Sequence, residues 1–176
     1  MNIERVIVGP LDTNCYILKK DKYCLIIDPG DEIDKIKDKI GESQPIGVII
    51  THHHFDHVGA LEDLKNEYSL KSYDYFNMKE GINSIGQFKF EVIYTPGHKK
   101  DLISIYFKEE KVLFCGDFIF KGSIGRYDFS DSSLTEMQNS INKILSYPKD
   151  TTIFPGHGPN TVLKDEINRL NYFLEA

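Results

Sequence analysis

The chain has 176 residues and a mass of 20.3 kDa, with 40% hydrophobic and 27% charged residues, which suits one globular domain with a full core. A net charge of −6, a pI near 5.5 and no basic stripe speak against nucleic-acid binding, and no apolar run reaches the roughly 18 residues a membrane span needs. Cys15, Cys24 and Cys115 are too few and too scattered for a disulfide framework or a thiolate zinc site, so buried thiols are expected.

The first residues, Met1-Asn2-Ile3-Glu4-Arg5, carry no signal-peptide core; the expectation is a cytoplasmic protein with one domain spanning residues 1–176. Residues 2–8 alternate toward Val6 and Val8 and read as a strand, stopped by Gly9-Pro10. Two more strands cover 14–18 and 23–27, with Lys20-Asp21-Lys22 as the turn. Asp28-Pro29-Gly30-Asp31 breaks the sheet, and Asp31 can cap a helix whose Ile33, Ile36 and Ile40 share a face before Gly41 ends it. After Pro45 a buried strand covers 46–50. The next helix, over 58–69, places Val58, Leu61, Leu64 and Tyr68 on one face. Residues 70–86 read as a short strand followed by loop.

Residues 88–95 alternate as a strand and end in Pro96-Gly97-His98. Strands 102–107 and 111–115 flank a turn at Glu109-Glu110, and the second runs into Gly116-Asp117. A loop covers 121–131. A helix then presents Leu134, Met137, Ile141, Ile144 and Leu145. A short strand over 151–154 leads to Pro155-Gly156-His157-Gly158, and a closing helix aligns Leu163, Ile167, Leu170 and Leu174. Strands outnumber helices and do not alternate with them regularly. Two sheets covered by outer helices fit this order, an α+β class.

Thr51-His52-His53-His54-Phe55-Asp56-His57 places four of the six histidines and a carboxylate in seven residues, where a buried strand gives way to a helix start. Imidazole and carboxylate donors in such density suit a borderline divalent metal. Three other apolar segments end in a potential ligand, namely His98, Asp117 and His157, each beside glycine, which permits close backbone approach. His53 lies between two ligand candidates in an extended segment, so its side chain is expected to point away.

The series Thr51-His-His-His-Phe-Asp-His57, Thr95-Pro-Gly-His98, Phe114-Cys-Gly-Asp117 and Gly156-His-Gly158 resembles the metallo-β-lactamase superfamily, most of all its glyoxalase II (hydroxyacylglutathione hydrolase) branch. The resemblance runs from Asn14-Cys15-Tyr16 through Asp28-Pro29-Gly30 to the last residues. It implies a four-layer αβ/βα sandwich with a dinuclear centre. In that pattern His52, His54 and His98 hold one metal, Asp56, His57 and His157 the other, and Asp117 bridges them. Arg126 falls where the glutathione hydrolases place a basic residue against the thiol part of the substrate.

Three departures stand out. Lys99-Lys100-Asp101-Leu102 replaces the Thr-x-Gly-Ser that follows the equivalent of His98. Asp128 stands where the glutathione enzymes carry tyrosine. The chain closes one helix after His157, whereas the long glyoxalase II enzymes continue into a helical glutathione-binding domain.

The implied cofactors are two divalent ions, zinc by default, with iron or manganese tolerated. A hydroxide between them would attack the carbonyl of a thioester such as S-lactoylglutathione or a related small acyl-thiol, with Asp56 orienting the nucleophile. Thiolate leaves readily, so no strong general acid is required. The implied partner is a small-molecule substrate. The same ligands leave two alternatives, a lactonase and a mononuclear-iron persulfide dioxygenase. A β-lactamase is set aside because those enzymes do not use a bridging aspartate at the position of Asp117.

Overall fold

Strands that are apolar on both faces must be covered on both faces, and this decides the layering. The computed structural model describes residues 1–175. One sheet holds β1 (Asn2–Val8), β2 (Thr13–Lys20), β3 (Tyr23–Ile27), β4 (Gln44–Ile49) and β5 (Ser72–Tyr73), neighbours in that order. The other runs β13 (Thr161–Val162), β12 (Thr152–Pro155), β9 (Val112–Gly116), β8 (Ile103–Phe107), β7 (Phe88–Tyr94) and β6 (Gly81–Ile85). A small hairpin pairs β10 (Ile119–Phe120) with β11 (Ser123–Ile124).

Successive strand side chains point to opposite faces. Leu25 and Ile27 of β3 therefore join Leu18 and, from the second sheet, Phe90, Ile105, Phe107 and Phe114 in the core between the sheets. Cys24 and Ile26 face outward, where α1 (Ile33–Ile40) and α3 (Leu61–Tyr68) cover them with Ile36, Ile40, Leu61 and Leu64. On the far side α4 (Leu134–Ile144) and α5 (Leu163–Leu174) cover Leu113, Cys115 and Ile153 with Met137, Ile141, Ile144, Leu163 and Leu170. Helix, sheet, sheet and helix make the expected αβ/βα sandwich. Each fully buried large apolar side chain contributes about 1.5–3 kcal/mol, so these three clusters dominate the stabilisation. The three cysteines are buried and unpaired, and no helix among the described residues is long and apolar enough to cross a membrane.

The structure departs from the sequence pattern in four places. The helix expected over 58–69 is two pieces, a single turn α2 (Phe55–Val58) and α3, separated at Gly59-Ala60. Here the 28–30 loop presses onto the chain: a Cβ on Gly59 would lie 2.2 Å from Gly30 O, and one on Gly30 1.9 Å from Asp56 O. Ala60 N donates to Pro29 O instead of extending α2. Asp31 does not cap α1. Its Oδ1 accepts from Glu32 N at 2.6 Å, and Glu32, left-handed at φ 48°, stands at the N-cap without a side-chain cap bond. Pro45 lies inside β4, beside a register shift in its pairing with β3, where a missing N–H is tolerated. Finally β6 and β11 occupy stretches read as loop, and β10 and β13 stretches to which the sequence pattern assigns no element. Three of these four strands have two residues, too few for a periodicity to show.

The two sheets are also joined by polar contacts at one rim. Asn14 N of β2 donates to Gly156 O at 2.7 Å. Asn14 Nδ2 donates to Pro155 O and Gly158 O, both at 2.9 Å, and the Tyr16 hydroxyl to Pro155 O at 2.6 Å.

Candidate metal centre

At that rim the chain leaving β4, β7, β9 and β12 brings together all seven ligand candidates. His52, His54, His98 and Asp117 present ligand atoms within 4.8 Å of one another, and Asp56, His57 and His157 form a second such group. His54 Nδ1 lies 3.1 Å from His52 Nε2 and 3.0 Å from His98 Nε2. Asp117 faces both groups. Its Oδ2 is 3.6 Å from His98 Nε2 and 3.4 Å from His157 Nε2, and its Oδ1 is 3.3 Å from His57 Nε2. Asp56 Oδ2 lies 3.4 Å from His57 Nε2 and 3.2 Å from His157 Nε2.

Missing side chains make this convergence possible. A Cβ on Gly156 would stand 2.2 Å from Asp117 Oδ1 and 2.7 Å from His57 Cε1. Gly116, at φ +50°, would drive a Cβ to 2.4 Å from Thr51 Oγ1. Both glycines are therefore steric requirements of the cluster.

Four of the imidazoles are held from behind. The second ring nitrogen of His57 lies 2.9 Å from Asp28 Oδ2, that of His98 2.8 Å from Arg126 O, and that of His157 3.0 Å from Leu11 O. His52 Nδ1 lies 3.1 Å from Thr51 Oγ1. Such contacts fix the ring and leave the other nitrogen facing the centre. Thr13 Oγ1 donates to Asp56 Oδ2 at 2.8 Å. Asp28, which in sequence reads only as a sheet breaker, proves to be part of this support. It is buried, and accepts from Thr51 N at 2.7 Å and Thr51 Oγ1 at 2.6 Å as well as facing His57. A usable signal exists, since Asp28-Pro29-Gly30 is an acid close to glycine at the end of an apolar strand, like the ends that carry the ligands.

His53 turns away from the ligand groups, as expected. Its Nδ1 lies 2.7 Å from Asp101 Oδ2 and its Nε2 3.3 Å from Asp74 Oδ2. Arg126 contributes to the centre through its carbonyl on His98. Its side chain is 65% exposed, with Nε and Nη2 on Asp128 at 2.9 and 3.0 Å and Cζ 4.3 Å over the Phe129 ring.

Burial is the largest influence on these ionisations; it sets the sign for His52 and His54, and neighbours overturn it for His57, His157, Asp56 and Asp117. Burial, reinforced by the neighbouring imidazole of His57, pushes the His52 pKa far below the ordinary histidine value. Burial, with His98 and Lys99, lowers that of His54. Burial would also lower His57, yet Asp28 and Asp117 carry it to about 10; Asp117 and Asp56 likewise carry His157 to about 10 against its burial. Burial would raise Asp56, but His157, His57 and Thr13 hold it at about 2. Asp117, opposed by burial, is held well below the usual carboxylate range by His157 and His57.

The donor set fits divalent cations. Around His54 Nδ1, imidazole nitrogens approach with their lone pairs converging, an arrangement that wants a positive charge between them. His57 Nε2 and Asp117 Oδ1 are buried without a hydrogen-bond partner, because their 3.3 Å approach fails hydrogen-bond geometry. Orphaned buried polar atoms are costly unless something else satisfies them.

Three comparisons place the chain among known proteins. The family model described as the metallo-beta-lactamase superfamily matches residues 8–73 and 79–157. Hydroxyacylglutathione hydrolase GloC of Haemophilus influenzae is 31% identical, over 100% of this chain and 99% of its own. Among solved structures, the BLEG-1 B3 metallo-beta-lactamase superposes with a TM-score of 0.91 at 32% identity, covering 99% of this chain and 100% of that one. TTHA1623, solved in a di-iron-bound form, superposes with a TM-score of 0.86 at 31% identity, covering 93% and 96%.

Proposed function

The chain belongs to the metallo-β-lactamase superfamily, and from that premise we propose that it hydrolyses small acyl thioesters with the help of two divalent ions. The observation that carries this reading is Asp117, whose two oxygens face both ligand groups. Full-length similarity to GloC supports the thioester as substrate class. His52, His54 and His98 would hold one ion, Asp56, His57 and His157 the other, with Asp117 shared. Imidazole and carboxylate donors suit zinc and tolerate iron or manganese, and iron is the metal of the similar TTHA1623 structure.

Bound ions would supply water with a pKa near 7 and a Lewis acid for the carbonyl, by the general chemistry of such sites. The chain's own residues do the positioning. Asp56, ionised with a pKa of about 2 and steadied by Thr13, can accept a hydrogen bond from the attacking water and set its orientation. With ions bound, Asp28 and the carbonyls of Leu11 and Arg126 would keep the ring protons of His57, His157 and His98 on Nδ1 and leave Nε2 to the ions. Arg126 and Phe129 flank the approach to His54 and His98. The thiolate departs without a protonating side chain.

The test is a turnover screen of metal-analysed protein with S-lactoylglutathione, other thioesters, a homoserine lactone, a β-lactam and glutathione persulfide. Thioester turnover with two ions per chain is expected. Sulfite release with one iron per chain, or turnover confined to the lactone or β-lactam, would refute the proposal. His54→Ala and Asp117→Ala should lose bound metal and activity together.

A further inference from the structure

The rim of the metal centre is apolar where it meets solvent. Phe129 is 38% exposed and sets its ring edge-on to His54 and His98, at centroid distances of 5.9 and 5.7 Å. Phe120 stands 6.1 Å from the His157 ring, and Leu11, whose carbonyl faces that same ring, is 50% exposed. Phe55, next to His54, is 73% exposed. Single exposed apolar residues are ordinary on a protein surface. Three of them, Leu11, Phe55 and Phe129, together with the half-buried Phe120, give the surroundings of the two ligand groups an apolar character, as small-molecule sites have.

Two cations beside the His54 and His98 rings are already paired with carboxylates of the chain. Arg126 gives Nε and Nη2, its bidentate face, to Asp128, and stacks its plane on Phe129. Lys99 lies 3.0 Å from Asp131 and 3.6 Å from Asp101. A substrate carboxylate arriving here would have to displace a carboxylate of the chain from the same donors, so it gains little. It would also approach a protein whose net charge is −6. Asp128 thus cancels the group that would otherwise favour an anionic thiol.

We propose, building on the thioester-hydrolase reading, that the site selects thioesters with an apolar acyl arm on an uncharged thiol carrier over those of an anionic peptide thiol such as glutathione. Phe129 supplies the apolar contact. Asp128 acts as a specificity determinant by occupying Arg126.

Binding can be separated from turnover with thioethers that cannot be hydrolysed. Metal-loaded protein is titrated calorimetrically with S-benzyl-N-acetylcysteamine, which is neutral, and with S-benzylglutathione, which is anionic. The neutral thioether should bind more tightly. Asp128→Asn should shift the ratio of the two dissociation constants toward glutathione by about two- to fivefold, the scale of one exposed ion pair. Phe129→Ala should weaken the neutral thioether by about tenfold, the scale of a partly buried aromatic contact. Equal or tighter binding of S-benzylglutathione to the unmodified protein would overturn the inference. So would a ratio that Asp128→Asn leaves unchanged. Turnover of the matching thioesters is measured alongside. If neither is hydrolysed while the binding preference and its dependence on Asp128 persist, the hydrolase reading fails and the inference about specificity stands.

Discussion

Replacing Asp28 tests how the second ligand group is held. Its carboxylate is 2% exposed and receives Thr51 N on Oδ1, with Thr51 Oγ1 and His57 Nδ1 on Oδ2. Asp28→Ala strips the acceptor from three buried donors at once. A buried charged partner removed from such a network costs about 3–5 kcal/mol, a large share of a typical stability of about 5–15 kcal/mol.

Asp28→Asn is the sharper perturbation because it keeps the shape. The amide oxygen still accepts from Thr51 N, and the amide nitrogen can donate to Thr51 Oγ1. That nitrogen also faces His57 Nδ1, which must then accept, moving the ring proton to Nε2. Nε2 is the atom aimed at Asp117, 3.3 Å away. The expected stability loss is only about 1–2 kcal/mol, whereas affinity for the ion at Asp56, His57 and His157 should fall about 10- to 100-fold. Urea unfolding measures the first quantity, and competition with a chromophoric chelator the second. If the Asp28→Asn variant bound two ions with unaltered affinity, the orienting role of Asp28 would be refuted.

Other perturbations separate the centre from its scaffold. Gly156→Ala forces a methyl against Asp117 Oδ1 and His57 Cε1. It should cost about 1–3 kcal/mol and reduce bound metal in elemental analysis. Ser133→Ala removes the side chain that accepts from Glu136 N at the start of α4. A loss of about 1 kcal/mol in urea unfolding is expected, with metal content unchanged. Chelator treatment should lower the melting temperature, since an ion present at about 100 times its dissociation constant adds about 2.7 kcal/mol. Re-addition of metal should restore it.

The parts legible in sequence are those with a strong local signature. The strand covering 23–27 and the helix carrying Ile36 and Ile40 follow from periodicity because their apolar faces are continuous. His52, His54, Asp56 and His57 are legible because four donors crowd one strand end, and His98, Asp117 and His157 because glycine marks each of theirs. What does not show depends on contacts between distant segments. The break at Gly59-Ala60 exists because Gly30 arrives from another loop, and nothing within 58–69 announces it. Glu32 displaces Asp31 from the N-cap while its carboxylate receives Gly9 N at 2.9 Å, a contact across 23 positions. Arg126 stands out in sequence for its side chain, yet the contact the structure gives it with the centre is a carbonyl, which every residue possesses.

The seam between β2 and β12 sets an order in time. As the chain emerges from the ribosome, His52, His54, His98 and Asp117 are all present once β9 has been made. Asp56 and His57 must wait for His157, and the loop carrying it is fastened only when Gly156 and Pro155 reach Asn14 and Tyr16 near the other end of the molecule. A nascent chain can therefore offer one complete set of ligands and two of the three residues of the other. If the second group takes an ion, its filling would mark maturity, open only to chains in which β2 has met the end of β12.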